Sequence, residues 1–207
     1  MYPLYYNSCI SFFSKMQNES TNQKKEFDLY EMIRFIVIAL VIVVPIRLYI
    51  AKPFIVSGES MDPTFRNGDY LIIDQISYRV GEPERGDVVI FRYPKDTTKF
   101  FIKRIVGLPG ETVHFEEGRI SISNEGHPRG IVLQEPYLTH HSFETFNTKM
   151  GPNEYFVLGD NRPESSDSRF WGPLKAEFIV GRPFARLFPP TSISIFPGEY
   201  QSATSNE

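Results

Sequence analysis

The longest apolar stretch of the chain lies near its amino terminus. Residues 35–46 carry no charge, and residues 32–50 add only Arg34 and Arg47, one near each end. A membrane-spanning helix needs about 20 mainly apolar residues, and arginine side chains near its ends can reach the polar interface. The pattern therefore predicts a transmembrane helix over residues 32–51. The alternative is a buried helix or strand of a soluble core.

Short apolar runs separated by turn residues follow this stretch. Gly-Asp pairs precede the runs at residues 70–73 and 88–91, and residues 155–158 form a similar run. Glu116-Glu117-Gly118 interrupts residues 111–122 as the turn of a β-hairpin would. No later segment keeps a helical period for long. The predicted fold class is therefore mainly β, with curled antiparallel sheets and one N-terminal transmembrane helix.

These patterns divide the chain of 207 residues into four parts. Residues 1–31 form a tail without the features of a cleavable secretory signal. Residues 32–51 form the predicted span, and residues 52–190 form the folded domain. Residues 191–207 are expected to be a flexible tail, since they end in Ser, Thr, Asn and Glu. A chain of this length can build one core outside the span.

The composition argues against several classes of function. The formal net charge is −3 and no basic stripe dominates, which argues against a nucleic-acid partner. Cys9 is the only cysteine, so neither an intramolecular disulfide nor a zinc site of several cysteines can form. The four histidines have no spacing that names a metal site. No metal or other cofactor is therefore expected.

Ser60 and Lys103 are the strongest candidates for chemistry. A serine hydroxyl is a weak nucleophile until a base removes its proton, and a lysine can be that base if apolar neighbours lower its pKa. The apolar residues within three positions of Lys103 are Phe100, Phe101, Ile102, Ile105 and Val106. The sequence therefore predicts a Ser/Lys dyad just outside a bilayer. A Ser/His/Asp triad on Ser60 would instead need a histidine such as His114 close by.

Four motifs, in order, resemble those of the bacterial type I signal peptidases in their single-span, membrane-anchored form. With the apolar stretch they extend over roughly residues 35–190. The motifs are Ser60-Met61-Asp62-Pro63-Thr64, Arg85-Gly86-Asp87-Val88-Val89, residues 103–111 beginning Lys103-Arg104, and Gly159-Asp160-Asn161-Arg162 continuing through Ser165, Asp167, Ser168 and Arg169. The resemblance implies the fold of that family and a membrane-bound serine endopeptidase.

The resemblance also implies roles for the matching residues. Ser60 would attack the scissile carbonyl, and Lys103 would be the general base and then protonate the leaving amine. Ser165 matches the serine that orients the lysine by a hydrogen bond. Gly159 matches the small residue that lets the chain approach that lysine closely. Two implied polar pairs brace the site, Asp160 with Arg104 and Asp167 with Arg169.

One position departs from the motif pattern. Many relatives have a serine two positions before the nucleophile, where its hydroxyl helps to form the oxyanion hole, whereas this chain has Gly58. Some relatives also have glycine there, so activity is still expected. The hole then depends on the Ser60 backbone amide and a second donor. Ser57, one residue out of register, and a water molecule are candidates for that donor.

The implied substrate is the signal peptide of an exported preprotein. It would bind in an extended form beside Pro53-Phe54-Ile55-Val56 and near Phe101 and Ile102, adding itself as a strand. The preference implied by the resemblance is Ala-X-Ala, with small side chains at the first and third positions before the cut.

The implied location is the plasma membrane, crossed once, with the N terminus in the cytoplasm and residues 52–190 outside. The lipid bilayer is then a partner, and Phe184 and Phe188 either contact its surface or pack within the domain. The sequence leaves the oligomeric state open. Two alternatives remain: a catalytically inactive relative that binds exported chains, and a self-cleaving repressor-type Ser/Lys peptidase.

Overall fold

The computed structural model describes residues 29–45, 51–140, 142 and 144–200. The described residues up to Val44 form one unit, and those from Pro45 onward form a second. The described part of the first unit belongs to helix α1, Leu29–Pro45, whose last residue is the first of the second unit. Glu31 in its first turn complements the positive end of the helix dipole.

The predicted span at residues 32–51 is only partly described. Its first part, residues 32–45, is helical, residues 46–50 lie outside the described part, and Ala51 already begins a β-strand. None of the described helices is both long enough and apolar enough to cross a membrane.

Strands dominate the second unit, which confirms the predicted mainly β class. The strands are β1 Ala51–Ile55, β2 Tyr70–Asp74, β3 Val88–Tyr93, β4 Asp96–Gly107, β5 Thr112–Glu116, β6 Arg119–Ser123, β7 Ile131–Val132, β8 Phe146–Lys149, β9 Glu154–Leu158, β10 Leu174–Lys175, β11 Ile179–Phe188 and β12 Ser194–Ile195. The short helical elements are α2 Ser77–Val80, α3 Ser168–Trp171 and the 3-10 turns Ala176–Phe178 and Pro190–Ser192.

The strands form two antiparallel sheets. The larger has the order β1-β2-β11-β3-β4-β9-β10, with β12 beside β11, and the smaller has the order β7-β6-β5-β8. In the smaller sheet, β5 and β6 pair from Thr112 with Ser123 to Glu116 with Arg119. The two loop residues, Glu117 and Gly118, have φ values of 48° and 80°. Positive φ at both positions is the requirement of a type I′ turn, so the predicted hairpin is confirmed.

The larger sheet curls until two strands that are not neighbours in it meet. The rings of Phe54 on β1 and Phe100 on β4 pack edge to face, with their centroids 5.2 Å apart. Among the described residues, β1 pairs only with β2, and β4 pairs with β9 only from Arg104 onward. The curl therefore brings two unpaired backbone edges to the same region.

A buried apolar cluster supports the chain that follows β1. Met61 and Phe65 in this segment are almost fully buried, and the Phe65 amide donates to the Met61 carbonyl. They pack with Val56, Leu71, Ile73, Val88 and Ile90. Two side chains of the Ser60 loop, Met61 inside the motif and Phe65 just after it, therefore anchor this loop in the apolar core.

The folded part continues past the predicted boundary at residue 190. Strand β12 pairs with β11, and the Gly198 carbonyl accepts a hydrogen bond of 2.7 Å from Arg104. The ring of Tyr200 packs edge to face on that of Tyr137. Of the predicted flexible tail at residues 191–207, residues 191–200 thus belong to the packed domain, and residues 201–207 lie outside the described part.

Candidate active site

Ser60 lies in the loop between β1 and β2. Gly58, two positions earlier, has φ +98°, a conformation that a residue with a side chain rarely adopts. The Gly58 amide donates to Asn67 Oδ1 at 3.1 Å. Gly58 therefore permits the turn by which the chain leaves β1 and enters the loop that contains Ser60.

Lys103 lies on β4, opposite Val89 of β3. Its ammonium donates to Ser60 Oγ at 2.6 Å and to the Ile102 carbonyl at 2.9 Å. Only 4% of the residue is exposed, and Nζ lies 5.5 Å from the centroid of the Phe101 ring. The structure thus brings together the serine and lysine that the sequence singled out.

The surroundings of Lys103 disfavour its charged form. Burial lowers the pKa of Lys103 from 10.5 to about 8, although the carboxylates of Asp167 and Asp160 oppose this effect. The positive charge of Arg169 lowers it further. Desolvation is the dominant cause, because the buried ammonium loses its hydration and forms no ion pair with any of the described residues.

The segment Gly159–Asn161 holds the Ser60 loop in position. The Asn161 amide donates to the Ser60 carbonyl at 3.1 Å, and its side chain donates to the Glu59 carbonyl at 3.1 Å. A methyl group at Gly159 would overlap the Ser60 carbonyl and Ser165 Oγ. Glycine is therefore required at position 159, because it lets the backbone approach Ser60 and Ser165 closely.

The predicted pair of Arg104 and Asp160 forms a buried bidentate contact. Arg104 Nε donates to Asp160 Oδ1 at 2.9 Å and Nη2 to Oδ2 at 2.7 Å. Asp160 Oδ2 also accepts a hydrogen bond of 2.5 Å from Thr64 in the Ser60 loop. Arg104 Nη1 donates to the Gly86 and Gly198 carbonyls. Strand β4 is thereby joined to the loop that carries the serine.

The predicted pair of Asp167 and Arg169 forms as well. Asp167 Oδ1 accepts from Arg169 Nε at 2.8 Å, and Oδ2 accepts from the Gly159 amide at 3.1 Å. Arg169 Nη2 donates to the carbonyls of Arg162 and Ser165. These hydrogen bonds fix the conformation of the loop between β9 and α3.

Ser165 is close to the dyad but is not bonded to it. The residue is buried, and a methyl group at Gly159 would overlap its Oγ and Cβ. Within the part of the chain that the structure describes, Ser165 Oγ has no hydrogen-bond partner. The hydrogen bond from Ser165 to Lys103 that the resemblance implies is therefore not formed in this structure.

A cavity of about 420 Å³ opens beside Ser60 and Lys103. Of the residues predicted to contact substrate, Phe54, Ile55, Val56, Phe101 and Ile102 line it, whereas Pro53 does not. Its other lining residues are Ser57, Leu71, Ile90, Phe100 and Ser166. The cavity occupies the region where the free edges of β1 and β4 come together.

Several contacts of the site were not predicted. Thr64 and Asn161 stand inside the motifs, but their partners are distant in sequence. Arg162 forms an ion pair with Glu135, which is outside all four motifs. Glu135 carries no local pattern that would single it out, because its partner lies 27 residues away.

The other candidate groups lie elsewhere. His114 contacts Asn147 and Ser123 in the smaller sheet, so the structure gives no support to a triad on Ser60. In the described ranges, no group of three or more His, Cys, Asp or Glu residues could hold a metal ion. The arrangement that remains is a serine hydroxyl next to a buried lysine, beside an apolar cleft with free strand edges. These groups can support nucleophilic attack on a peptide bond.

Comparison with known proteins assigns the family. Over residues 29–188 the chain matches the family model described as signal peptidase, peptidase S26. A probable signal peptidase I-2 of Synechocystis sp. is 36% identical over 186 residues, which cover 84% of this chain and 82% of that protein. Signal peptidase I of Leptolyngbya laminosa is 36% identical over 182 residues, covering 84% and 86%. Signal peptidase IB of Staphylococcus aureus is 34% identical over 185 residues, covering 80% and 92%.

The chain therefore belongs to the signal peptidase family, peptidase S26. The resemblance inferred from the four motifs is confirmed, and the chain is an enzyme of the signal peptidase I type. The repressor-type alternative is thereby set aside.

Proposed function

We propose that this enzyme removes signal peptides from exported preproteins with Ser60 as nucleophile and Lys103 as general base. The observation that carries this assignment is the 2.6 Å contact between Lys103 Nζ and Ser60 Oγ. Family membership supports the reaction, and the buried position of the lysine supports its role as a base. An inactive relative would have no reason to keep a lysine buried against a serine hydroxyl.

The reaction begins with a neutral Lys103. At a pKa of about 8, about one lysine in ten is neutral at pH 7, against fewer than about one in a thousand at an ordinary lysine pKa. The neutral amine accepts the Ser60 proton as Oγ attacks the scissile carbonyl. The resulting ammonium protonates the amine that leaves with the mature protein. A water molecule that gives its proton to Lys103 then hydrolyses the acyl-enzyme and frees the signal peptide.

The substrate binds as an extended strand between β1 and β4. The free edges of these strands can supply main-chain hydrogen bonds to it, while side chains at alternate positions enter the cavity. Phe54, Val56 and Ile102 limit the room for those side chains. This argument supports small residues at the first and third positions before the cut.

The oxyanion hole requires a second donor beside the Ser60 amide. The Gly58 amide is already bonded to Asn67, and the backbone and side-chain nitrogens of Asn161 each donate to a carbonyl, that of Ser60 and that of Glu59. Ser57 lines the same cavity as Ser60 and Lys103. We assign the second donor to Ser57.

The enzyme acts at the plasma membrane, which the chain crosses once within the predicted span, before β1 begins at Ala51. The apolar side chains of α1 are exposed, and the lipid interior would cover them at low cost. The N terminus is then cytoplasmic and the β domain lies outside, where a translocated signal peptide can reach it. Phe184 and Phe188, both exposed on β11, are the residues assigned to contact with the bilayer surface.

Cleavage of a preprotein by the detergent-solubilised enzyme tests this function. The substrate carries an Ala-X-Ala site, and mass spectrometry of the product identifies the bond that is cut. Ser60→Ala and Lys103→Ala should each abolish cleavage while circular dichroism shows an unchanged fold. His114→Ala, a change in the smaller sheet, is the matched control and should cleave normally. Normal cleavage by either dyad variant would refute the mechanism.

A further inference from the structure

A buried polar network that begins outside the four motifs contacts the segment that holds Ser60. It begins at Glu135 and Tyr137, which follow strand β7 and share no motif with the dyad. The Glu135 side chain is only 6% exposed and pairs with Arg162, whose side chain is 1% exposed. Burying an ion pair to this degree costs desolvation free energy. The presence of this pair is therefore not explained by stability alone.

One arm of the network ends at Gly159. Arg162 Nη2 donates to Glu135 Oε1, and Arg162 Nε donates to the Gly159 carbonyl at 3.0 Å. The Tyr137 hydroxyl donates to the same Glu135 oxygen at 2.8 Å. Glu135 therefore fixes the guanidinium that holds the backbone at Gly159.

The second arm ends at Asp160. The guanidinium carbon of Arg104 lies 4.1 Å from the centroid of the Tyr137 ring, and the same guanidinium binds Asp160 through two hydrogen bonds. Tyr137 is thus bonded to Glu135 at its hydroxyl and stacked on Arg104 through its ring. The two arms hold consecutive residues, and the next residue, Asn161, donates to the Ser60 carbonyl.

We propose that Glu135 is a positioning residue for Ser60 and that it acts through Arg162 and Tyr137. Loss of its carboxylate leaves the Arg162 guanidinium charged and buried without its partner, so the arginine and the Gly159 carbonyl must move. The Asn161 contact that holds the Ser60 backbone then loosens, and Ser60 Oγ drifts from Lys103. The proposal rests on the catalytic role proposed above for Ser60.

A positioning role and a stabilising role differ in what they change. Substrate affinity depends on β1 and on Phe101 and Ile102 of β4, whereas the network contacts β4 only at Arg104. KM should therefore stay nearly constant. The turnover number and the rate of acylation should fall about 10- to 100-fold, because small displacements of a nucleophile are costly. A residue that only stabilised the fold would lower the melting temperature and leave these rates, counted per active site, unchanged.

The experiment compares Glu135→Gln, Glu135→Ala and Tyr137→Phe with wild-type enzyme in detergent. Active sites are counted by labelling with a covalent serine-directed inhibitor, whose rate of attachment also reports acylation. Glu111→Ala is the matched control, since it breaks the Arg85–Glu111 pair, a contact of 2.6 Å that is also largely buried. We expect the control to lose stability but not turnover per active site.

For the three network variants we expect lower turnover and slower labelling at nearly constant KM, with Glu135→Ala the most affected. If Glu135→Gln and Tyr137→Phe both turn over at the wild-type rate per active site, the positioning role is overturned, whatever their melting temperatures. A fully active Ser60→Ala would instead refute the proposed nucleophile, so the two failures are distinguishable.

Discussion

At the residue scale, the protonation of Lys103 controls the chemistry. With a pKa of about 8, the lysine is mostly charged at pH 6 and mostly neutral at pH 9. We predict that kcat/KM rises about tenfold per pH unit below pH 7 and levels off above about pH 8, because only the neutral amine accepts the serine proton. Initial rates on a peptide substrate between pH 5 and pH 10 measure this profile.

Two variants are the controls for this profile, one at Lys103 and one at His114, the other candidate base. Lys103→Arg should be inactive at every pH, since a guanidinium stays charged. His114→Ala should leave the acidic limb where it is. A limb that moved with His114 but not with Lys103 would contradict the assignment of the base.

A second prediction at this scale concerns Ser57. If its hydroxyl donates to the oxyanion, Ser57→Ala should lower kcat about 100-fold with little change in KM, since the bond forms only in the transition state. Ser166→Ala is the control, because Ser166 is exposed in the same cavity and should change kcat by less than about twofold. Equal rates for Ser57→Ala and wild type would leave a water molecule as the remaining candidate.

Local sequence predicted the dyad. Apart from the two ion pairs implied by the motifs, it did not predict the contacts that hold the dyad in place. The apolar residues around Lys103 are its neighbours in sequence, so its burial could be inferred from them. The contacts of Ser165, Thr64 and Glu135 depend on loops whose course no local pattern specifies. The absence of a hydrogen bond between Ser165 and Lys103 belongs to the same class, because it depends on the course of the loop that carries Ser165.

At the scale of elements, the segment after β11 contributes more than its composition suggested. A chain shortened to end at Pro190 should lose at least about 2 kcal/mol in free energy of unfolding, because Arg104 loses a buried acceptor and β11 loses a partner strand. Urea denaturation followed by circular dichroism measures this loss. A chain that ends at Tyr200 keeps every contact described here and is the control. Equal stability of the two shortened chains would show that residues 191–200 contribute nothing.

The hairpin and the tail show what sequence patterns can resolve. The β5–β6 hairpin was predictable because its turn residues and its pairing lie within twelve positions of each other. The predicted tail includes residues 191–200 because its Ser, Thr, Asn and Glu content describes average behaviour, whereas β12 pairs with a strand earlier in the chain. That β1 and β4 meet across the curl was implied only by the resemblance, since the two strands are far apart in sequence and do not pair with each other.

At the scale of the whole molecule, orientation in the membrane is open to a direct test. Cys9 is the only cysteine, so a thiol reagent reports on the N-terminal side alone. In intact spheroplasts we predict that a membrane-impermeant maleimide leaves Cys9 unlabelled, and that detergent makes it reactive. The positive control is Glu125→Cys in a Cys9→Ser chain, since Glu125 is exposed on the β domain. Labelling of Cys9 but not of the control in intact cells would reverse the orientation.

The burial of Lys103 has a consequence for folding itself. The unfolded chain titrates this lysine at 10.5 and the folded chain at about 8, so below pH 8 both are protonated and the folded state carries a penalty of about 3 kcal/mol. Between those two pKa values the unfolded chain binds more protons, and this contribution to stability therefore rises with pH. Lys103→Met should unfold at higher urea concentration than wild type at pH 7, and the difference should shrink toward pH 10.5. A variant less stable than wild type at pH 7 would contradict this. The contribution of Lys103 to the free energy of unfolding is therefore least favourable at the pH values where this base is charged. The inactive variant Lys103→Met is expected to be more stable than the active enzyme there.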